Sequence, residues 1–248
     1  MSLRARILAG ELVVGPFQKT PSPQVTELLG RGGVDFVVVD QEHAPIGIEA
    51  LDLIALAGRA SGLPVLIRAS HAAGPAIWPA LDLGCAGVMV PHIRSAREAV
   101  TVAEAMKYAR GRGFSPSGRA GNYGRMNPAD YRARSDAETV FLAQIEDAAA
   151  LPHLDEIAAV PEVDVLFIGP QDLALSLGCT GDAPEMQAAI DQVAAAAQHH
   201  GKAAGLFVGD PAQIAPMRAR GISVFVCGSD QGLLQGGARR LMAASRDS

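Results

Sequence analysis

The sequence predicts an α/β fold, a TIM (β/α)8 barrel, on three observations. Eight short apolar runs alternate with longer amphipathic stretches from one end of the chain to the other. Most of these runs are continuously apolar, the pattern of parallel strands covered by helices, where the alternation of a half-exposed sheet is missing. A chain of 248 residues is also the size that eight strand–helix units need. No composition shift, repeat or low-complexity tract divides it, so residues 1–248 are read as one barrel domain.

The strand candidates in order are Leu12–Phe17, Phe36–Asp40, Val65–Arg68, Gly87–Pro91, Thr139–Ile145, Val165–Gly169, Ala203–Val208 and Ser223–Cys227. Helical patterns separate them. Ser22–Arg31 is the first, followed by Ile48–Ser61, Pro75–Leu83, Ser95–Ala109, Ala148–Val160, Pro184–His200, Pro211–Arg220 and Gly232–Ala244. Gly74-Pro75, Ala183-Pro184 and Asp210-Pro211 set a proline in a first helical turn, and Gly201 supplies a stop after His200. An open doubly wound sheet is the alternative. It is weakened because no G-x-G-x-x-G follows the first strand.

Hydrophobic residues make up 49% of the chain and charged residues 19%, which is enough for a substantial core. The net charge of −5 argues against nucleic acid as the main partner. Cys85, Cys179 and Cys227 form no C-x-x-C pair, which argues against a zinc knuckle or a disulfide framework. The N-terminus leads into no long apolar segment, and no stretch reaches the ~18 apolar residues of a membrane span. A soluble cytoplasmic protein with no membrane partner is expected.

Chemistry in such a barrel sits at the C-terminal strand ends. Gln144-Ile-Glu146 and Gly169-Pro-Gln171-Asp172 close two neighbouring runs, 26 residues apart. Asp40-Gln-Glu42-His43 closes another. Glu146 and Asp172 can share a divalent ion and leave positions for water and substrate, as Mg²⁺ or Mn²⁺ prefers. No two histidines are spaced as zinc ligands. His43, close to Asp40, is the candidate general base, with His71 and His92 as rivals. Arg68 can hold a carboxylate or an enolate oxygen; the alternative is a structural ion pair with Asp40 or Glu42. A metal-polarised 2-oxo acid, an arginine and a base together make a metal-dependent aldol reaction. No lysine ends strands two to six, which disfavours a Schiff base. Arg110 to Arg134, rich in Arg and Gly, is read as a cap over the site that offers cations to an anion.

These motifs resemble the class II pyruvate aldolases, the hydroxyketoacid aldolases that cleave 4-hydroxy-2-oxoheptanedioate or 2-keto-3-deoxy sugar acids. The resemblance rests on Asp40-Gln-Glu-His43-Ala-Pro, Arg68, Leu81-Asp82-Leu-Gly84, Val90-Pro91, Gln144-Ile-Glu146 and Phe167-Ile-Gly-Pro-Gln-Asp172-Leu, and runs from about Phe17 to Leu234. It implies a lyase that splits a 4-hydroxy-2-oxo acid into pyruvate and an aldehyde through a pyruvate enolate held at the metal. Glu146 and Asp172 would bind Mg²⁺, Mn²⁺ or Co²⁺. His43 would be the base and Arg68 would steady the enolate. Gln144, Gln171 and Asp172 would contact pyruvate, and Asp82 would raise the basicity of a histidine, within the chain or across a subunit boundary. A homo-hexamer, a trimer of dimers with an exchanged C-terminal helix, is also implied. A citramalyl or malyl thioester lyase, or an oxaloacetate decarboxylase, would use the same site, and a keto-acid sensor is the non-enzymatic alternative. The segment Arg112-Gly-Phe-Ser-Pro-Ser-Gly-Arg119 matches the family only partly, which leaves the aldehyde half of the substrate open.

Overall fold

The computed structural model describes residues 1–246. Its strands are β1 (Val13–Gln18), β2 (Val37–Asp40), β3 (Val65–Arg68), β4 (Gly87–Val90), β5 (Val140–Ile145), β6 (Val165–Ile168), β7 (Ala203–Val208) and β8 (Ile222–Ser229). They pair in parallel, in sequence order, and close when β8 pairs β1. The helices are α1 (Leu3–Leu8), α2 (Pro23–Arg31), α3 (Ile48–Ser61), α4 (Gly74–Leu83), α5 (Ala96–Met106), α6 (Pro128–Glu138), α7 (Leu154–Ala158), α8 (Pro170–Leu177), α9 (Pro184–His199), α10 (Ile214–Arg218) and α11 (Asp230–Arg246). The expected barrel is the observed one.

Successive side chains on a strand face opposite sides, so each strand serves two cores. Val38, Leu66, Met89, Leu142, Phe167 and Val226 belong to the inner cluster. Val37, Val39, Val65, Ile67, Phe141 and Ile168 belong to the outer one, beneath the helices. Each such burial contributes about 1.5–3 kcal/mol. Where β1 passes β2 there is no room for a side chain: a Cβ on Gly15 would lie 2.0 Å from the Phe36 carbonyl oxygen. Helix α1, not anticipated from the sequence, places Leu3 and Ile7 in the inner cluster and so closes the N-terminal end of the barrel.

The chain runs up β4 and back down α5, so residues 107–139 lie at the N-terminal face, opposite the strand tips. This corrects the expectation that residues 110–134 cap the site. The arginines here fasten this face instead. Arg112 is buried, hydrogen-bonds to Asp82 and stacks on the Tyr108 ring at 4.5 Å. Arg119 pairs with Asp52 at 2.8 Å. Helix α6 fills the second half of the segment, with the Asn127 side chain accepting from the amides of Ala129 and Asp130. Its residues are polar nearly all round and only Tyr131 is buried, so it carries no amphipathic signal.

Candidate active site

The same parity decides which strand-tip residues face the barrel mouth. Val38 lies inside, so Asp40 does too; Leu66 carries Arg68 inward; Val140 and Leu142 carry Gln144 and Glu146 inward. Lys19, His43, Arg68, Gln144, Gln171 and Asp172 line a cavity of about 430 Å³ at this end, walled by Phe17, Phe167 and Phe207. Glu146 is buried against Gln144.

Asp40 and Arg68 are register partners on β2 and β3, which sets their side chains together. Arg68 donates from Nε (3.1 Å) and Nη2 (2.7 Å) to the two Asp40 oxygens, with Glu42 Oε2 at 3.3 Å from Nε and the Phe17 ring 4.5 Å from the guanidinium. Its remaining nitrogen, Nη1, has no hydrogen-bond partner among the described residues. Burial pushes the Asp40 carboxyl up, but the Arg68 hydrogen bond and charge, the His43 amide and Lys19 outweigh it and hold the group below its ordinary range. The ion pair raised as an alternative role for Arg68 is therefore real, and it leaves one edge of the guanidinium for the cavity.

His43 stands exposed at the mouth. Its amide donates to Asp40 Oδ1 at 3.1 Å and its Nε2 lies 3.6 Å from Glu42. Glu146 Oε1 accepts the His92 amide at 2.8 Å, and Oε2 accepts from Gln144 Nε2. Burial first, then the charges of Glu42 and Asp172, push the Glu146 carboxyl up to about 7 against the opposing His92. Asp172, in the first turn of α8, is exposed and has no hydrogen-bond partner among the described residues.

The surroundings fit a divalent cation. Acids gather with no cation directed at Glu146 except the His92 ring, 3.4 Å from Oε1. Gln144 Oε1 is buried without a partner. A Cβ on Gly169 would lie 2.7 Å from Glu146 Oε2 and 2.9 Å from Gln144 Nε2, so glycine leaves this cradle open. Two carboxylates with no histidine or cysteine completing a compact set among the described residues suit a hard ion that keeps water and takes substrate oxygens.

Of the expected site residues, His43, Arg68, Gln144, Glu146, Gln171 and Asp172 come together. Asp82 does not. It ends α4 near the opposite face and pairs with Arg112, so it reaches no histidine of its own chain's cavity. Two contributors went unrecognised in the sequence. Gly169 carried one signal, a glycine between an apolar run and a proline. His92 contributes through its backbone rather than as a base: at φ 55°, a conformation costly to a side-chain-bearing residue, it aims its amide at Glu146.

Residues 14–235 match the sequence profile of the family described as HpcH/HpaI aldolase/citrate lyase. The chain belongs to the HpcH/HpaI aldolase/citrate lyase family. A 5-keto-4-deoxy-D-glucarate aldolase from Citrobacter koseri is 33% identical over 97% of this chain and 95% of its own length. Among solved structures, an HpcH/HpaI aldolase/citrate lyase family protein from Burkholderia cenocepacia is 28% identical, covers 98% of both chains and superposes with a TM-score of 0.92. The citrate synthase SbnG is 26% identical with a TM-score of 0.89, covering 99% of this chain and 98% of its own. Membership in the HpcH/HpaI family makes this chain a carbon–carbon lyase of the aldolase kind.

Proposed function

We propose that the chain is a class II aldolase, dependent on a divalent metal, that reversibly splits a 4-hydroxy-2-oxo acid into pyruvate and an aldehyde. One observation carries this: Asp172 lines a cavity with a fixed guanidinium, Arg68, whose Nη1 is free, and Glu146, short of cationic partners, is buried directly behind the Gln144 that lines it. Glu146 and Asp172 would hold Mg²⁺, Mn²⁺ or Co²⁺, which when bound supplies the charge that polarises a keto group. Arg68 cannot swing, because Asp40 holds two of its nitrogens; Nη1 donates to the substrate oxygen on which charge grows as the carbon–carbon bond breaks. His43, anchored through its amide, takes the 4-hydroxyl proton in cleavage; passing that proton to the enolate carbon gives pyruvate and restores the base, and synthesis runs the same transfers in reverse. Gln144 Oε1 is the acceptor left open to a bound water or substrate hydroxyl. Gln171 and Asp172 offer first-turn amides of α8 to the pyruvate carboxylate. Phe17 and Phe207, with ring centroids 5.9 Å apart, shield the reacting atoms from water.

The Citrobacter relative's named substrate supports a sugar-acid oxo acid, and so sugar-acid rather than aromatic-compound catabolism. Helix α11 supports a homo-oligomer, since Leu233, Leu234, Leu241 and Met242 are exposed on it and only Asp230 is buried; the hexamer, a trimer of dimers, is the arrangement that the family resemblance implies. A role for Asp82 on a histidine then needs a second copy of the chain. No helix among the described residues is long and apolar enough to cross a membrane, in keeping with a cytoplasmic enzyme. The test is Glu146→Gln, which should fold normally, bind Mn²⁺ at least about tenfold more weakly and lose metal-dependent pyruvate release. Turnover and metal affinity equal to the parent would reject the assignment.

A further inference from the structure

A second group of metal-ligating side chains lies away from the cavity, on the outer helical layer. Asp155 on α7 and His199 and His200 at the end of α9 bring one ligand atom each within 4.8 Å of one another. Asp155 Oδ1 is 3.0 Å from His200 Nε2 and 3.5 Å from His199 Nδ1. Four ligands held about 2.0–2.1 Å from a tetrahedral zinc stand about 3.3 Å from each other. The two Asp155 edges bracket that figure, the first being a hydrogen bond that an ion would replace, and the His199–His200 edge is no longer than 4.8 Å, so the three atoms stand near the corners of such a site. The two imidazole rings lie next to each other, tilted by 41° with centroids 4.8 Å apart.

The backbone that carries them is fixed. Leu154, Ile157 and Ala158 of α7 are buried in the same cluster as Val193, Ala196 and Ala197 of α9, so ordering the ligands costs side-chain freedom only. The location favours positive charge. His199 closes a helix of 16 residues, and the His200 amide caps it on the Ala196 carbonyl. The last-turn carbonyls of a helix carry the negative end of its dipole. Asp155 adds a full negative charge, and no lysine or arginine pairs with it among the described residues. A cavity of about 430 Å³, bordered by Asp155 and His199, leaves room for a water as fourth ligand.

We propose that Asp155, His199 and His200 form a zinc-class site that ties α7 to α9. Two imidazole nitrogens and one carboxylate oxygen select a borderline ion, Zn²⁺ first and Ni²⁺ or Cu²⁺ alongside, over the hard Mg²⁺ that suits an oxygen-only set. The two sites on this chain thus differ in ligand chemistry, and that difference makes the proposal testable.

The experiment uses the full chain in excess Mg²⁺, titrated with ZnCl₂ against a chromophoric chelator and followed in parallel by thermal unfolding. One zinc per chain should bind in spite of the Mg²⁺, and Tm should rise by about 5–10 °C at a hundredfold excess over Kd. His199→Ala, exposed and therefore tolerated by the fold, and Asp155→Asn should each weaken zinc at least about tenfold and abolish the Tm rise. Glu146→Gln should leave both readouts unchanged. Zinc binding that survives His199→Ala and Asp155→Asn, or that disappears in Glu146→Gln or is displaced by Mg²⁺, would overturn the proposal, since the zinc would then sit in the barrel mouth.

Discussion

Arg68→Ala separates the two jobs assigned to this arginine. Asp40 is fully buried, and the substitution strips it of two hydrogen bonds, at 3.1 and 2.7 Å. What remains is Lys19 Nζ at 3.3 Å and the amides of Glu42 and His43. Removing one partner of a buried pair costs about 3–5 kcal/mol. The surviving lysine puts the expectation at the lower end, about 3 kcal/mol, or a fall in Tm of roughly 6–12 °C for a chain of this size. Adding Asp40→Asn removes the stranded charge and should restore about half of the lost stability. Activity should not follow, because Nη1 is gone in both variants; kcat should stay about 10²–10³-fold down. Denaturant unfolding and pyruvate release on the same samples read the two quantities. Stability within about 1 kcal/mol of the parent for Arg68→Ala would show that Asp40 is not stranded. Regained turnover in the double variant would show that Arg68 serves only as an ion-pair partner.

Two further outcomes follow from the acids. Gly169→Ala places a Cβ 2.7 Å from Glu146 Oε2 and 3.0 Å from Glu146 Cβ, at an ordinary φ of −92°, so the cost falls on the carboxylate and not on the backbone. Calorimetry with Mn²⁺ should show at least about tenfold weaker binding in a folded protein, and undiminished affinity would mean Glu146 is no ligand. Glu146 also predicts a pH dependence for the metal-free protein. Its carboxyl titrates at about 7 when folded against an ordinary 4.5, so between those values the folded state holds a proton that the unfolded chain has released. Stability in chelator should therefore fall as pH rises from about 4.5 to 7, by on the order of 2 kcal/mol. Glu146→Gln should lose that part of the slope, and an identical slope in the variant would place the titration elsewhere.

The barrel was legible because its strands are covered on both faces and therefore read as unbroken apolar runs; the eight strand candidates lie where β1 to β8 do. The site was legible for a related reason: charged residues that end such runs, Asp40, Arg68 and Glu146, have nowhere to go but the mouth. Placement by connection was not legible. Residues 110–134 looked like a lid because they are long and basic, yet their position after α5 puts them at the far face. The pairing of Arg112 with Asp82 depends on contacts 30 residues apart that no local pattern encodes. Helix α8 was hidden for another reason: Gly169-Pro-Gln-Asp172 reads as a turn, and only the eight-residue helix beyond it turns Asp172 into a first-turn acid. His92 was hidden because its part is played by a backbone amide.

The most direct test of the account is pyruvate release from a panel of 4-hydroxy-2-oxo acids, including a 2-keto-3-deoxy sugar diacid, in Mg²⁺ or Mn²⁺ and then in excess chelator. The account predicts pyruvate that appears with the metal, vanishes in chelator and returns when the ion is restored. Release that persists in chelator would contradict it, and would reopen a Schiff-base route through Lys19, the lysine that lines the cavity.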